Sequence, residues 1–121
     1  MARCVIEMQQ RFGQRVSADL SQPYYLDVTH PLANKGEVVS ALSALLAIPT
    51  AQIATIGDMP NDVLMFRNSG VSIAMGNAAS DVRHAAAFVT TSNTEEGFAQ
   101  AMEEFVLRTD RLSVPAEENA F

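Results

Sequence analysis

Two aspartates stand four residues apart in the stretch TIGDMPNDVLMF, where Asp58 ends an apolar run and Asp62 follows Pro60 and Asn61. Two carboxylates at the end of a strand are hard oxygen ligands, which suit Mg²⁺ better than zinc. Asn61 adds an amide for a phosphate oxygen, close to a helix N-terminus that favours anions. The stretch therefore indicates a metal and phosphate site. The alternative is that both aspartates are ordinary turn and helix-capping residues.

Lys35 is the next candidate, because it stands at the beginning of a predicted helix over residues 36–47. A cation is unfavourable at that end of a helix, where the dipole is positive. The lysine is either solvated or directed at an anion. One helix separates it from the strand that ends at Asp58, and this spacing places both residues on the same rim of a parallel sheet.

The elements that must position these residues alternate between strand and helix from residue 36 onward. The apolar runs QIATIG, VSIAM and AFVTT are typical of buried strands. Helical spacing predicts the connecting helices, and a β-leaning segment and a further helix precede them. This alternation predicts βαβ units and a parallel sheet. The predicted helices cover 3–14, 36–47, 61–68, 78–86 and 95–107, and the β-leaning segment covers 24–29.

Composition narrows the class of protein. Hydrophobic residues make up 48% of the 121 residues, enough for one folded domain. The net charge of −6 argues against general binding to nucleic acid or to an anionic membrane. The single cysteine, Cys4, forms no internal disulfide, and no apolar run approaches the length of a membrane span. These features predict a cytoplasmic protein.

The segment from Asn34 to Met102 resembles the C-terminal part of haloacid dehalogenase-like (HAD) phosphatases of the Cof type. The resemblance covers about residues 24–106. It is carried by NKG, by the strand ending in G-D-x-x-N-D, by GVSIAMGNA and by AFVTTSN, in the order and spacing of the family. It implies an α/β fold, namely a partial HAD-like Rossmannoid core with a short parallel sheet flanked by helices. The core would cover 23–107, after a remnant of the cap domain at 1–22 and before a flexible tail at 108–121.

The resemblance also implies roles for individual residues. Lys35 corresponds to the lysine that neutralises the nucleophile and the transferring phosphoryl group. Asp58 corresponds to the aspartate that binds Mg²⁺, and Asp62 to a second aspartate that supports the metal directly or through water. Asn61 corresponds to an amide near the phosphate. Gly76 and Asn77 correspond to a turn that flanks the site.

The family's first motif, D-x-D-G-T, does not occur in the sequence, and neither does its second, a Ser or Thr after a strand. The first motif supplies the nucleophilic aspartate, without which lysine and metal only stabilise charge. Asp27 ends an apolar run and Thr29 follows two residues later, so this segment resembles the start of the first motif. Because His30 and Pro31 replace the expected glycine and threonine, Asp27 is interpreted as a strand residue.

Two hypotheses follow. The chain is the C-terminal half of a phosphatase acting on a small phosphorylated metabolite, such as a sugar phosphate or nucleotide, and is inactive alone. Alternatively, it is a non-catalytic half-domain that self-associates or binds a partner chain or an anion. In the family, the strand of residues 52–56 neighbours the strand that carries the first motif. We therefore expect an open sheet edge that drives formation of a homodimer or association with the N-terminal half, unless residues 1–29 cover it.

Overall fold

The N-terminal helix α1 spans Ala2–Phe12 and is followed by a 3₁₀ turn at Gly13–Arg15. The computed structural model describes residues 2–108, so most of the predicted flexible tail lies outside the described residues. Gly13 has a φ of +53°, a conformation that favours glycine, which explains why the helix ends here. The predicted helix is confirmed. Within residues 2–108, no helix is both long and apolar enough to cross a membrane.

Two antiparallel strands form a sheet of their own: β1 at Ser17–Gln22 and β2 at Tyr25–Thr29. Only β2 was expected from the sequence, because SADLSQ has too few apolar residues to stand out as a strand. The pairing matches Ala18 with Val28 and Leu20 with Leu26, which places these apolar side chains on one face. The predicted boundary at residues 22/23 falls within this hairpin, and it stays a prediction.

Helix α2 spans Lys35–Leu46 and begins with a side-chain cap. The Oδ1 atom of Asn34 accepts a hydrogen bond from the backbone N–H of Glu37 at 3.0 Å, which satisfies one of the free donors of the first turn. The apolar stripe predicted for this helix is only partly covered. Val39 is buried, but Val38, Leu42, Leu45 and Leu46 are exposed, and Leu45 keeps 79% of its accessible surface.

The predicted parallel sheet is confirmed and has three strands in the order β3-β4-β5. The first predicted strand begins later than expected, because Thr50–Gln52 forms a 3₁₀ turn. Helices α3 and α4 make the connections that parallel strands require. The strands are β3 at Ala54–Gly57, β4 at Val71–Ala74 and β5 at Phe88–Val89, and the helices are α3 at Val63–Arg67 and α4 at Ser80–Ala85.

The core lies between the sheet and these helices. Phe66 of α3 and Val82 of α4 pack with Ala74 and Ala78 in one buried cluster, and Ile73 of β4 is fully buried. The last predicted helix begins as α5 at Gly97–Ala101 and continues as a π-helical segment over Met102–Val106. Phe105 of that segment stacks on Phe88 with ring centroids 4.6 Å apart, and this contact fixes the helix against β5.

Strand β3 forms an edge of the sheet. It pairs with β4 on one side, and no strand of the described residues pairs with its other side. Neither β1 nor β2 pairs with this edge, because the two strands pair with each other. That residues 1–29 cover the edge in another way stays a prediction. The edge and the exposed side chains of α2 together leave apolar surface uncovered, which favours association.

We expect the purified chain to self-associate through β3, with Ala54 and Ile56 at the contact. In analytical ultracentrifugation at micromolar concentration, the mass should exceed the 13.1 kDa of a single chain. Ala54→Lys should shift the distribution toward the monomer, because a charged side chain on an edge strand opposes pairing. Ala85→Lys, which places the same charge on the exposed end of α4, is the control. A 13.1 kDa species that unfolds cooperatively would contradict the prediction.

Candidate active site

The centre of the candidate site is the carboxylate of Asp62, which is almost completely buried, with 3% of the residue exposed. Its Oδ2 atom accepts the backbone N–H groups of Asp58 at 2.8 Å and Met59 at 2.9 Å. Its Oδ1 atom forms an ion pair with Nζ of Lys35. Three donors therefore compensate the burial of one carboxylate, as a buried charge requires.

The local sequence explains why the carboxylate reaches these amides. Residues Pro60–Asp62 form a 3₁₀ turn, and the N-cap of this turn is Met59. The third residue of such a turn can return its side chain to the N–H of the cap residue, and Asp62 does so. The carboxylate lies against Gly57, where an added Cβ would lie 2.4 Å from Cγ of Asp62. Only a glycine at position 57 leaves room for this arrangement.

Lys35 is the single lysine of the sequence and the first residue of α2. Its side chain is half exposed, so the ammonium group contacts both Asp62 and the solvent of the adjoining cavity. Close packing fixes the beginning of α2 against α3. A Cβ at Gly36 would lie 2.9 Å from the carbonyl oxygen of Leu64, and Nδ2 of Asn68 donates to the carbonyl of Gly36 at 2.8 Å.

Asp58 is held from the other side by Asn77. Its Oδ2 atom accepts a hydrogen bond from Nδ2 of Asn77 at 3.2 Å, and Oδ1 of Asn77 in turn accepts the backbone N–H of Asn93 at 3.0 Å. The carboxylate of Asp58 is thus tied to the loops that follow β4 and β5. All three loops lie at the carboxyl ends of parallel strands, where open α/β sheets bind ligands.

Asn61 lines a cavity of about 410 Å³ between the core and the β1–β2 hairpin. Its Oδ1 atom is buried and has no hydrogen-bond partner among the described residues. A buried polar atom without a partner costs about 1–3 kcal/mol, so such atoms are rare in folded proteins. The Oδ1 atom of Asn61 is therefore an acceptor for which the described residues supply no donor.

The two aspartates differ in their suitability for a metal ion. Both oxygens of Asp62 are engaged by protein donors, whereas no hydrogen bond from another described residue reaches Oδ1 of Asp58. Mg²⁺ is usually held by one or two carboxylates together with water and substrate phosphate. Asp58 fits that requirement. The residues the structure describes contain no group of three or more His, Cys, Asp or Glu side chains that could hold a metal ion.

The residues singled out from the sequence converge in space. Asp62 contacts Lys35 and the backbone of Asp58, and Asn61 and Lys35 line the same cavity. The sequence interpretation missed the contribution of the hairpin, whose residues Asp19 and Asp27 also line that cavity. The available signal was a polar residue at every second position of both strands, which is typical of a strand face turned away from the core.

Known proteins resemble this chain over most of its length. A sequence profile of haloacid dehalogenase-like hydrolases matches residues 1–102. A putative phosphatase of Bacillus subtilis, YxeH, is 36% identical over 107 residues, which cover 88% of this chain and 40% of the relative.

Two solved structures share the fold. A haloacid dehalogenase-like hydrolase from B. subtilis superposes with a TM-score of 0.79 and 28% identity, covering 88% of this chain and 38% of that one. The HAD subclass IIB sugar phosphatase BT4131 superposes with a TM-score of 0.72 and 30% identity, covering 75% and 35% of the respective chains. The chain therefore spans 35–40% of the length of these three relatives. The resemblance noted in the sequence is confirmed, and the chain belongs to the haloacid dehalogenase-like hydrolase family.

Proposed function

We propose that this chain supplies the charge-stabilising half of a Mg²⁺-dependent phosphatase site that hydrolyses a small phosphate monoester of the sugar phosphate or nucleotide type. The observation that carries the proposal is the buried carboxylate of Asp62, which fixes the ammonium group of Lys35 beside the loop of Asp58. The similarity to a sugar phosphatase supports the class of substrate.

Each residue has a distinct role in this proposal. Lys35 is a catalytic residue, whose positive charge attracts the phosphoryl oxygens and stabilises charge that develops on them. Asn61 binds a phosphate oxygen from the cavity wall. Asp58 would hold Mg²⁺, which supplies further positive charge at the phosphoryl group when it is bound. Asp62 is a positioning residue. The resemblance implied that it supports the metal either directly or through water, and its engagement by protein donors favours the second of these roles.

The nucleophile is the part of the reaction that these residues do not supply. Family members attack phosphorus with an aspartate of the motif D-x-D-G-T, and this motif does not occur in the sequence. Asp27 lines the cavity, but it pairs with Asp19 in the middle of a hairpin and is not followed by the tight turn of that motif. We propose that the attacking aspartate belongs to a segment that completes the sheet beside β3.

A non-catalytic role in association is the second candidate. The open edge of β3 and the exposed apolar side chains of α2 favour it. The two candidates differ at the cavity, because an association module has no need of a bound phosphate.

We expect inorganic phosphate to bind at Lys35 in the presence of Mg²⁺. An NMR titration should shift the side-chain resonances of Lys35 and Asn61 together with the backbone of Asp58. Lys35→Met, which keeps the chain length of the lysine without its charge, should weaken binding about tenfold or more, since hydrogen bonds to charged groups are worth about 1.5–3 kcal/mol. Arg83→Met removes a charge from an exposed position of α4 and is the control. Unchanged affinity in Lys35→Met would refute the proposal.

The isolated chain should hydrolyse p-nitrophenyl phosphate with Mg²⁺ no faster than the uncatalysed background. Loss of a covalent nucleophile lowers the rate by several orders of magnitude even when the remaining site is intact. Turnover of about 1 per second, within the usual range of enzymes and abolished by Asp58→Asn, would show that another residue serves as the nucleophile.

Asp62→Asn should lower the free energy of unfolding by about 2–4 kcal/mol, because it removes a charged acceptor from three donors. The amide also turns an N–H₂ group toward one of those donors. Urea denaturation of the two proteins measures the difference. Asp81→Asn, an exposed position at the start of α4, should change stability by less than about 0.5 kcal/mol. Equal stability of Asp62→Asn and the wild type would show that the network does not hold the site together.

A further inference from the structure

One face of the β1–β2 hairpin is polar and lines the cavity opposite the candidate site. The strand register places Ser17 opposite Thr29 and Asp19 opposite Asp27. Alternate residues of a strand share a face, so these four side chains form one surface, and all of them line the cavity. Ala18 and Leu20 lie on the other face, and Ala18 is buried.

The two carboxylates form an unfavourable pair that the described residues compensate only slightly. Residues directly opposite in an antiparallel pair have their Cβ atoms about 4.5–5.5 Å apart, and like charges at that distance destabilise the sheet. The hydroxyl of Ser17 donates to Oδ2 of Asp19 at 3.1 Å. No hydrogen bond from another described residue reaches the carboxylate of Asp27. Among the described residues that line the cavity, Lys35 is the only cation, and it is paired with Asp62.

The cavity is therefore electrically asymmetric. Lys35 and the amide of Asn61 stand on the wall formed by the core, and Asp19 and Asp27 stand on the wall formed by the hairpin. Its volume of about 410 Å³ lies within the range of about 300–1,000 Å³ of small-molecule sites. A ligand that matches both walls is negative at one end and positive at the other.

We propose that Asp19 and Asp27 are specificity-determining residues that select a phosphate monoester whose leaving group carries an ammonium group. The phosphate lies at Lys35 and Asn61, and the ammonium group lies between the two carboxylates and donates to both. An ammonium group has three N–H donors, so it can serve both acceptors and also relieve their mutual repulsion. A leaving group with a carboxylate is repelled by the same pair. This inference rests on the proposed function and extends it to the class of substrate.

The test uses three hexose derivatives that share a carbon skeleton and a 6-phosphate. Glucosamine 6-phosphate carries an ammonium group, glucose 6-phosphate is neutral apart from its phosphate, and 6-phosphogluconate carries a carboxylate. We expect the full chain to bind them in that order of decreasing affinity, with about tenfold or more between the first and the last, as charge-assisted hydrogen bonds of about 1.5–3 kcal/mol imply. Calorimetry with Mg²⁺ present, with inorganic phosphate as the reference ligand, measures the series.

The double substitution Asp19→Asn and Asp27→Asn should remove the preference, because it removes both negatively charged acceptors of the ammonium group. Asp81→Asn, which removes a charge from exposed α4, should keep the preference. If the double variant does not fold, Asp27→Asn alone serves, because Asp27 is an exposed strand residue. The ligand series on the wild-type chain tests the inference without any substitution.

The outcomes separate this inference from the proposed function. If phosphate binding depends on Lys35 but the three hexose derivatives bind equally, or 6-phosphogluconate binds best, the inference is overturned and the phosphatase proposal stands. If none of the four phosphate compounds binds, or binding is indifferent to Lys35→Met, the proposed function fails and this inference fails with it. Only the predicted order of affinities, lost in the double variant, supports it.

Discussion

A buried carboxylate requires hydrogen-bond donors, and in this protein the donors to Asp62 connect the start of α2 with the loop that follows β3. Its three partners come from different parts of the chain: the start of α2 gives Lys35, and the end of β3 gives the amides of Asp58 and Met59. Removing any of these donors leaves charge uncompensated where water cannot replace it. The relative placement of α2, β3 and the turn before α3 therefore follows from one polar group.

The same constraint explains which residues the site tolerates at neighbouring positions. The carboxylate reaches the amides only because position 57 is glycine, and α2 approaches α3 closely only because position 36 is glycine. Asn77 and Asn93 hold the side chain of Asp58 from the far side of the loop. Asp58 thus points away from the core while Asp62 points into it. Two identical side chains, four residues apart, have different chemistry because Asp58 is only partly buried and Asp62 is almost completely buried.

The sequence was sufficient for the features that short segments determine. The spacing of G-D-x-x-N-D fixes a strand end, a turn and a helix start, so the sequence alone places Asp58, Asn61 and Asp62 close together. The apolar runs likewise predicted the parallel sheet. The β1–β2 hairpin was only half predicted, because SADLSQ has few apolar side chains and does not stand out as a strand. The cavity, with Asp19 and Asp27, depended on that hairpin and was missed for the same reason.

Periodicity also predicted an apolar stripe on α2, but it could not show which residues cover that stripe. Within residues 2–108, most of the stripe is exposed. Of the eight apolar residues buried in that part of the chain, four are alanines, so burial contributes little per residue. Buried ion pairs add little net stability compared with apolar packing, yet breaking one is severely destabilising. A chain with so small a core gains little from the Asp62 network and cannot compensate for its loss. The network is therefore best explained by the positions in which it holds Lys35 and Asp58.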